Sequence, residues 1–329
     1  MFYSLPTEIK LDIFKCLNYE DLCSVKQTNL YFYQFINKYE GELAREEFYD
    51  LTIDYCDRHK GLPHKLVRLE TENFDFALNE GLDEKWKNGL ENPISVYLPG
   101  QNSNNNTAIW LFKAYNATNR YFFLQLPIVI QTKNEIEIVY YYLNKLFKSS
   151  FKRSNFGRFI FNPELIQVLF GSSKHFYIQK SWLFMDYVIG DKLKFILNHL
   201  IIRGTLTINF PLDNDATNYT DILFKILLSG DRFNEVCLMW TNLQAIFDII
   251  VDHIETFTEC PKMVANIELK NLNINFTDLN RRAEKIGEES ENGHLISSKY
   301  QLSNLFNPKI KFSILFKKSC AVVEIKRIY

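Results

Sequence analysis

Glycine and proline are scarce in this chain of 329 residues, at 12 and 9. So few breakers exclude collagen-like and linker-rich architectures. Charge of one sign is also missing: 38 Lys and Arg face 39 Asp and Glu, a net of -1, so no global field draws the chain onto nucleic acid or an anionic membrane. Long hydrophobic runs are absent. The most apolar stretch, Tyr121 to Ile130, contains Gln125 and Pro127 and is too short to span a bilayer. Near the start, Pro6 and Glu8 interrupt the segment where a secretion signal needs continuous apolar residues, so a cytoplasmic and/or nuclear location is expected. The six cysteines (Cys16, Cys23, Cys56, Cys237, Cys260, Cys320) show no CxxC spacing, and the six His residues do not complete a zinc pattern. Reduced, mostly buried thiols are expected, with no metal site and no cofactor. The four Asn-x-Ser/Thr sequons, at Asn105, Asn116, Asn218 and Asn275, read as chance matches in an Asn-rich chain.

What is present is enough apolar matter for a sizeable core. Hydrophobic residues make up 47% and aromatic residues 15%, which excludes wholesale disorder. At roughly 150 residues per domain, the length suggests about two domains.

The first fifty residues carry the densest pattern. Pro6 fits a first helical turn, and Ile9, Ile13 and Leu17 recur at i, i+4 and i+8, one face of a helix. Leu11 and Phe14 lie off that stripe. Asn18 is a candidate N-cap for a second short helix, with Asp21 three positions on and Leu22 and Val25 as its apolar side. Thr28 and Asn29 offer a third cap before Leu30 to Ile36, which is apolar nearly all round. Three short helices cannot bury every such face among themselves, so the rest of the chain or a partner must cover some of it.

This array, Leu5-Pro6-x-Glu8-Ile9-x3-Ile13-Phe14-x2-Leu17, then Asp21-Leu22-x2-Val25, then Phe32, resembles an F-box. Phe32 stands where many F-boxes carry Trp. The resemblance implies a three-helix domain that docks on the adaptor Skp1 through Leu5, Pro6, Ile9, Ile13, Leu17, Leu22, Val25 and Phe32. It implies a cullin, reached through Skp1, and an unknown target protein selected by the C-terminal part. The implied function is a substrate-recognition adaptor of an SCF-type (Skp1–cullin–F-box) ubiquitin ligase, not an enzyme; the alternative is a Skp1-binding protein acting outside a ligase, as a decoy or in trafficking.

Beyond the F-box, Glu42 to Asp57 reads as a linking helix, with Leu43, Phe48, Leu51 and Tyr55 on one side. Ile94 to Leu98, Ile109 to Phe112 and Tyr121 to Leu126 read as strands, and Glu135 to Phe147 as a helix. Lys148, Lys152, Arg153 and Arg158, interleaved with Phe151 and Phe156, read as a solvated connection rather than a nucleic-acid patch. From Asn162 onward a helix–strand unit recurs, its strands opening at Phe176, Leu206, Val236 and Ile267. Gly171, Gly204 and Gly230 sit where helix C-termini call for positive φ. A strand and a helix every thirty residues or so is a solenoid signature. Glu284 to Asn292 reads as a charged loop, with strands at Lys311 to Phe316 and Val322 to Ile325.

The expected fold class is therefore α/β (α+β): an F-box at 1–45, a linking helix and irregular α/β region at 46–162, and a degenerate leucine-rich-repeat-like solenoid at 163–329. This layout is similar to the expanded F-box families of nematodes. No phosphate loop, HExxH or GxSxG pattern occurs, so no catalytic residue is expected. Side chains alternate across a strand, so Tyr177, Thr207, Met239 and Glu268 become candidate target-binding positions on the open face.

Overall fold

The computed structural model describes residues 2–59, 61, 64–67, 93–98, 107–115, 118–171, 174–186, 188–211, 217–239, 242–257, 262–270, 279–291 and 294–328. Three short helices open it: α1 (Thr7–Lys15), α2 (Tyr19–Lys26) and α3 (Leu30–Lys38). Each start is chemically marked. Pro6 precedes α1, Asn18 accepts the backbone N–H of Asp21 at the head of α2, and Asn29 accepts that of Phe32 at the head of α3. Phe14, Leu22, Ile36 and Leu43 form their core.

A sheet carries the rest. Its strands are β1 (Glu46–Tyr55), β2 (His64–Leu66), β5 (Thr107–Tyr115), β6 (Thr118–Leu124), β8 (Ser149–Asn155), β10 (Phe176–Phe184), β11 (Leu200–Asn209), β12 (Phe233–Met239), β13 (Asn266–Lys270), β14 (Glu284–Glu291), β15 (His294–Ser303), β16 (Lys311–Lys317) and β17 (Val322–Ile328). Two small pairs lie beside it: β3 (Ile94–Ser95) with β7 (Val129–Ile130), and β4 (Tyr97–Leu98) with β9 (Ile160–Phe161). Among the described residues the large sheet has 13 strands, in the order β14-β15-β16-β17-β13-β12-β11-β10-β8-β1-β5-β6-β2. From β1 to β13 the neighbours are parallel and follow chain order. Both flanks turn antiparallel, with β5 against β1 and β17 against β13, and the edge strand β2 pairs parallel with β6.

Parallel neighbours in chain order need right-handed crossovers that all return over the same face. Five helices fill that role: α4 (Lys133–Phe147), α5 (Pro163–Phe170), α6 (Ile189–His199), α7 (Thr220–Leu227) and α8 (Gln244–Thr256). A single-turn α9 (Leu279–Arg282) precedes β14. Side-chain caps mark two of these five helix starts. Thr132 and Glu135 form a capping box on α4, and Asn162 caps α5 ahead of Pro163. Leu143, Ile166, Ile196, Ile226 and Ile250 meet Leu51, Phe151, Ile178, Ile202, Val236 and Ile267 in one continuous core. That core crosses the 162/163 boundary suggested by the repeat without a break.

One phase shift recurs along the parallel strands. Phe48, Leu51 and Ile53 are buried in β1; Phe151, Ser154 and Phe156 in and after β8; Ile178, Ser181 and Leu183 in β10; Phe233, Val236 and Leu238 in β12; and Val264, Ile267 and Leu269 in and before β13. The spacing is i, i+3, i+5, so two consecutive residues face out before alternation resumes. In β11 the same step takes one residue more, from Ile202 to Leu206, and the pairing registers shift there. Ser154 and Ser181, at the second position, satisfy each other in the core through an Oγ–Oγ hydrogen bond of 2.8 Å.

The structure corrects several expectations. The linking helix over 42–57 is strand β1, and the charged loop over 284–292 is strand β14. Lys152 and Arg153 lie on strand β8, where Phe151 and, just beyond it, Phe156 point into the core, so no basic–aromatic interleaving reaches the surface. Of the three repeat glycines only Gly171 has positive φ, at 66°. Gly204 lies inside β11 and Gly230 in the turn before β12, and both are required by close approach instead. A Cβ on Gly204 would fall 2.5 Å from the Gln179 carbonyl oxygen, and one on Gly230 2.6 Å from the carbonyl oxygens of Lys262 and Met263. Backbone oxygens cannot swing aside, so Gly230→Ala is expected to cost about 1–3 kcal/mol, as overpacking does. A lowered urea midpoint checks this; Gly61→Ala, where a Cβ meets nothing within 4 Å, serves as the neutral control.

Candidate functional site

The helical unit keeps two kinds of apolar side chain apart. Phe14 on α1, Leu22 on α2 and Ile36 on α3 face inward, with Leu11, Leu17, Val25 and Phe32 half-buried against them. Phe32 packs its ring on Phe2 at 5.3 Å and Phe14 at 5.9 Å. Lys10, although charged, is buried: its Nζ donates to the Tyr3 carbonyl at 2.8 Å and pins the turn before α1. Ile9 and Ile13, one turn apart on α1, remain 46% and 42% exposed, and Leu30 and Tyr33 on α3 are exposed as well. Pro6 is exposed and Leu5 half-buried beside them.

The expected Skp1-contacting residues therefore separate. Ile9, Ile13 and Pro6 stand in solvent and Leu5 and Leu17 at its edge, whereas Leu22, 3% exposed, lies in the core of the unit. Val25 and Phe32 support the unit from within. Leu30, Tyr33 and Tyr3 were not singled out from sequence; the signal was a run apolar on more faces than three helices can bury.

The unit is fastened to the sheet at the start of the parallel strands. Arg45 donates to the Phe147 carbonyl at 3.0 Å, and its guanidinium lies 3.7 Å from the Tyr177 ring centroid. Lys148 pairs with Glu40 at 2.7 Å. Tyr177, expected as a target anchor, is thus half-buried in this junction. His175 sits beside it near Arg232 and His199, and burial first, then the Arg232 charge and the electrostatic coupling to His199, push its pKa down to about 4. His199 is lowered by burial and Arg232, against a hydrogen bond with the Lys174 carbonyl. Both rings are neutral in the folded protein and take up protons first in the unfolded chain, whose His pKa is about 6.5. Stability is present above that value and drains away as pH falls from about 6.5 toward 4. A melting temperature that drops over this window, with a shallower slope in His175→Gln, is the expected result.

The other expected target-binding residues lie on the uncovered sheet face. Thr207 and Glu268 share one row with Trp182 and Cys237, since Trp182 pairs with Thr207, Thr207 with Cys237 and Cys237 with Glu268. Met239 lies two positions further along β12. Cys237 is buried within this row, and burial pushes its thiol up to about 12. Glu268 is occupied by Lys270, at 3.0 Å. The face therefore brings Thr207, Met239 and Glu268 together and leaves Tyr177 apart. Trp182 and Phe184, both exposed there, escape simple strand alternation because β10 continues past Ile178 through the phase shift.

Among the described residues, no group of three or more His, Cys, Asp or Glu is placed to hold a metal ion. Nor is any helix long and apolar enough to cross a membrane.

Comparison with known proteins agrees with the helical geometry. Residues 2–40 match the F-box-like family, and residues 67–211 match a domain of unknown function, DUF8381. The N-terminal unit is thus an F-box-like domain. No curated protein and no solved structure matches the chain.

Proposed function

We propose that this chain is the substrate-recognition adaptor of an SCF-type ubiquitin ligase, docking on Skp1, reaching a cullin through it, and holding a target protein on the remainder of the chain. The observation that carries this reading is the F-box-like unit whose helix α1 leaves Ile9 and Ile13 in solvent beside Leu5 and Pro6. An apolar strip of this kind on a small helical unit needs a partner to cover it. The chain makes no bond of its own in this reading; it raises the effective concentration of the target beside the ubiquitin-charged enzyme. The parallel strands, with helices on one face and the other face open, act as a leucine-rich-repeat-like scaffold. A cytoplasmic and/or nuclear location and a kinship with the expanded nematode families belong to the same reading and rest on the sequence.

Co-purification tests it. Skp1 and a cullin should come down with the intact chain. Changing Leu5 and Pro6 together to Ala should reduce both by at least about tenfold, which takes only about 1.4 kcal/mol. Unchanged capture by the soluble double variant would sink the reading. Capture of Skp1 without any cullin would favour a role outside a ligase.

A further inference from the structure

The open sheet face carries a strip with a net excess of positive charge, built around one exposed tryptophan. Two shallow depressions meet there, of about 450 Å³ and 340 Å³, sharing Asn155 and Trp182. Trp182 is 52% exposed, and Phe184 stands two positions along the same strand. Arg153 and Lys180, register partners on β8 and β10, flank the tryptophan on one side. Arg158, in the turn after β8, lies on the other.

Charge pairing decides what this strip can accept. Two acids near it are already used. Asp186 is bound by Lys192, whose buried ammonium lies 2.6 Å from it and also donates to the carbonyls of Gly157 and Phe184. Asp54 pairs with Arg58 at 3.4 Å. Asp50, which accepts from Thr52, offsets one charge across from Arg153. Among the described residues Arg153, Arg158 and Lys180 have no ion-pair partner; the two arginines only approach the rings of Tyr49 and Tyr55, at 5.3 and 5.4 Å. On the far side, Glu235 on β12 bounds the strip, and Glu268 on β13 is already paired with Lys270.

The cations fall in two places, Arg153 with Lys180 at one end and Arg158 at the other. Arg153 lines one depression and Arg158 the other, with Trp182 shared between them. A single phosphate would engage one end only. We infer that this face docks an extended protein segment in which carboxylate side chains flank an apolar residue, the apolar residue seated on Trp182 and Phe184. An exposed tryptophan ringed by polar groups is the arrangement that concentrates binding energy at protein interfaces. The inference deepens the adaptor reading and rests on it for the identity of the segment as part of a target.

The test pans a displayed library of random peptides on the purified full chain without Skp1. The expected consensus has Asp or Glu on both sides of an aliphatic or aromatic residue. Trp182→Ala should weaken the selected peptides at least about tenfold, and the pair Arg153→Glu with Lys180→Glu should select Lys- and Arg-rich peptides in their place. These residues are exposed, so Skp1 capture, measured in parallel, should not change. A consensus without acids, no enrichment at all, or an acidic consensus kept by both variants would overturn the proposal. So would phosphoserine versions of the selected peptides binding more than about tenfold tighter than the carboxylate versions, which would make the strip a phosphate site. Loss of Skp1 binding by the intact chain would overturn the adaptor reading and leave the docking face standing.

Discussion

Replacing Ile9 and Ile13 together by Asp is expected to lower Skp1 affinity between about thirtyfold and several hundredfold. Fully burying an isoleucine side chain is worth about 1.5–3 kcal/mol. Each of these two still shows a little under half of its surface to solvent, so a covering partner has about 1 kcal/mol to gain from each. Placing a carboxylate at the same contact adds the cost of burying an unpaired charge. Together these exceed about 2 kcal/mol, which is roughly thirtyfold in affinity. Folding should be nearly unaffected, because exposed positions away from caps and cores tolerate substitution within about 0.5 kcal/mol. Isothermal titration with purified Skp1 reads the affinity, and the melting curve of the free variant reads the fold. The same substitution at Leu22 should do the reverse, unfolding the helical unit before any affinity can be measured.

The second large effect concerns stability. Phe176 opens β10 and is fully buried among rings: Phe147 at 4.4 Å, Phe161 at 5.4 Å and nearly parallel, Phe195 at 6.0 Å and Phe156 at 6.2 Å. These partners come from α4, β9, α6 and the end of β8, so Phe176 ties four elements to one point of the sheet. Removing a buried phenylalanine side chain costs about 3–5 kcal/mol, because the surroundings relax only partly around the cavity. Phe176→Ala should lose that much in urea unfolding, and Phe176→Leu distinctly less. A loss below about 1 kcal/mol would mean that the aromatic cluster is not the keystone its contacts suggest.

Which parts of this structure could be read from sequence depends on how the apolar residues are spaced. The three N-terminal helices were legible because Ile9, Ile13 and Leu17 keep helical spacing and Asn18 and Asn29 mark helix starts. Periodicity finds an apolar face but does not say whether protein or a partner covers it. On α1 the chain buries Phe14 and even Lys10, and leaves Ile9 and Ile13 outside. In the repeat strands Phe176, Ile178, Leu206, Ile208, Val236, Leu238, Ile267 and Leu269 are all buried, as alternation from the four strand openings requires. Strand β1 was misread as a helix for a physical reason. The phase shift places its buried residues at Phe48, Leu51 and Ile53, and a three-residue step inside a strand imitates a helical turn. The same step hid Trp182, because simple alternation from Ile178 puts position 182 in the core. Gly204 and Gly230 were recognisable as special positions, but the requirement is the proximity of carbonyl oxygens from distant segments, which no local pattern carries.

The most direct test of the adaptor reading is hydrogen–deuterium exchange on the full chain with and without purified Skp1. The account predicts slowed exchange over Leu5–Leu17 and the start of α3, with the strands from β8 to β13 unchanged. No complex at all, or protection confined to the sheet while α1 exchanges as before, would contradict it.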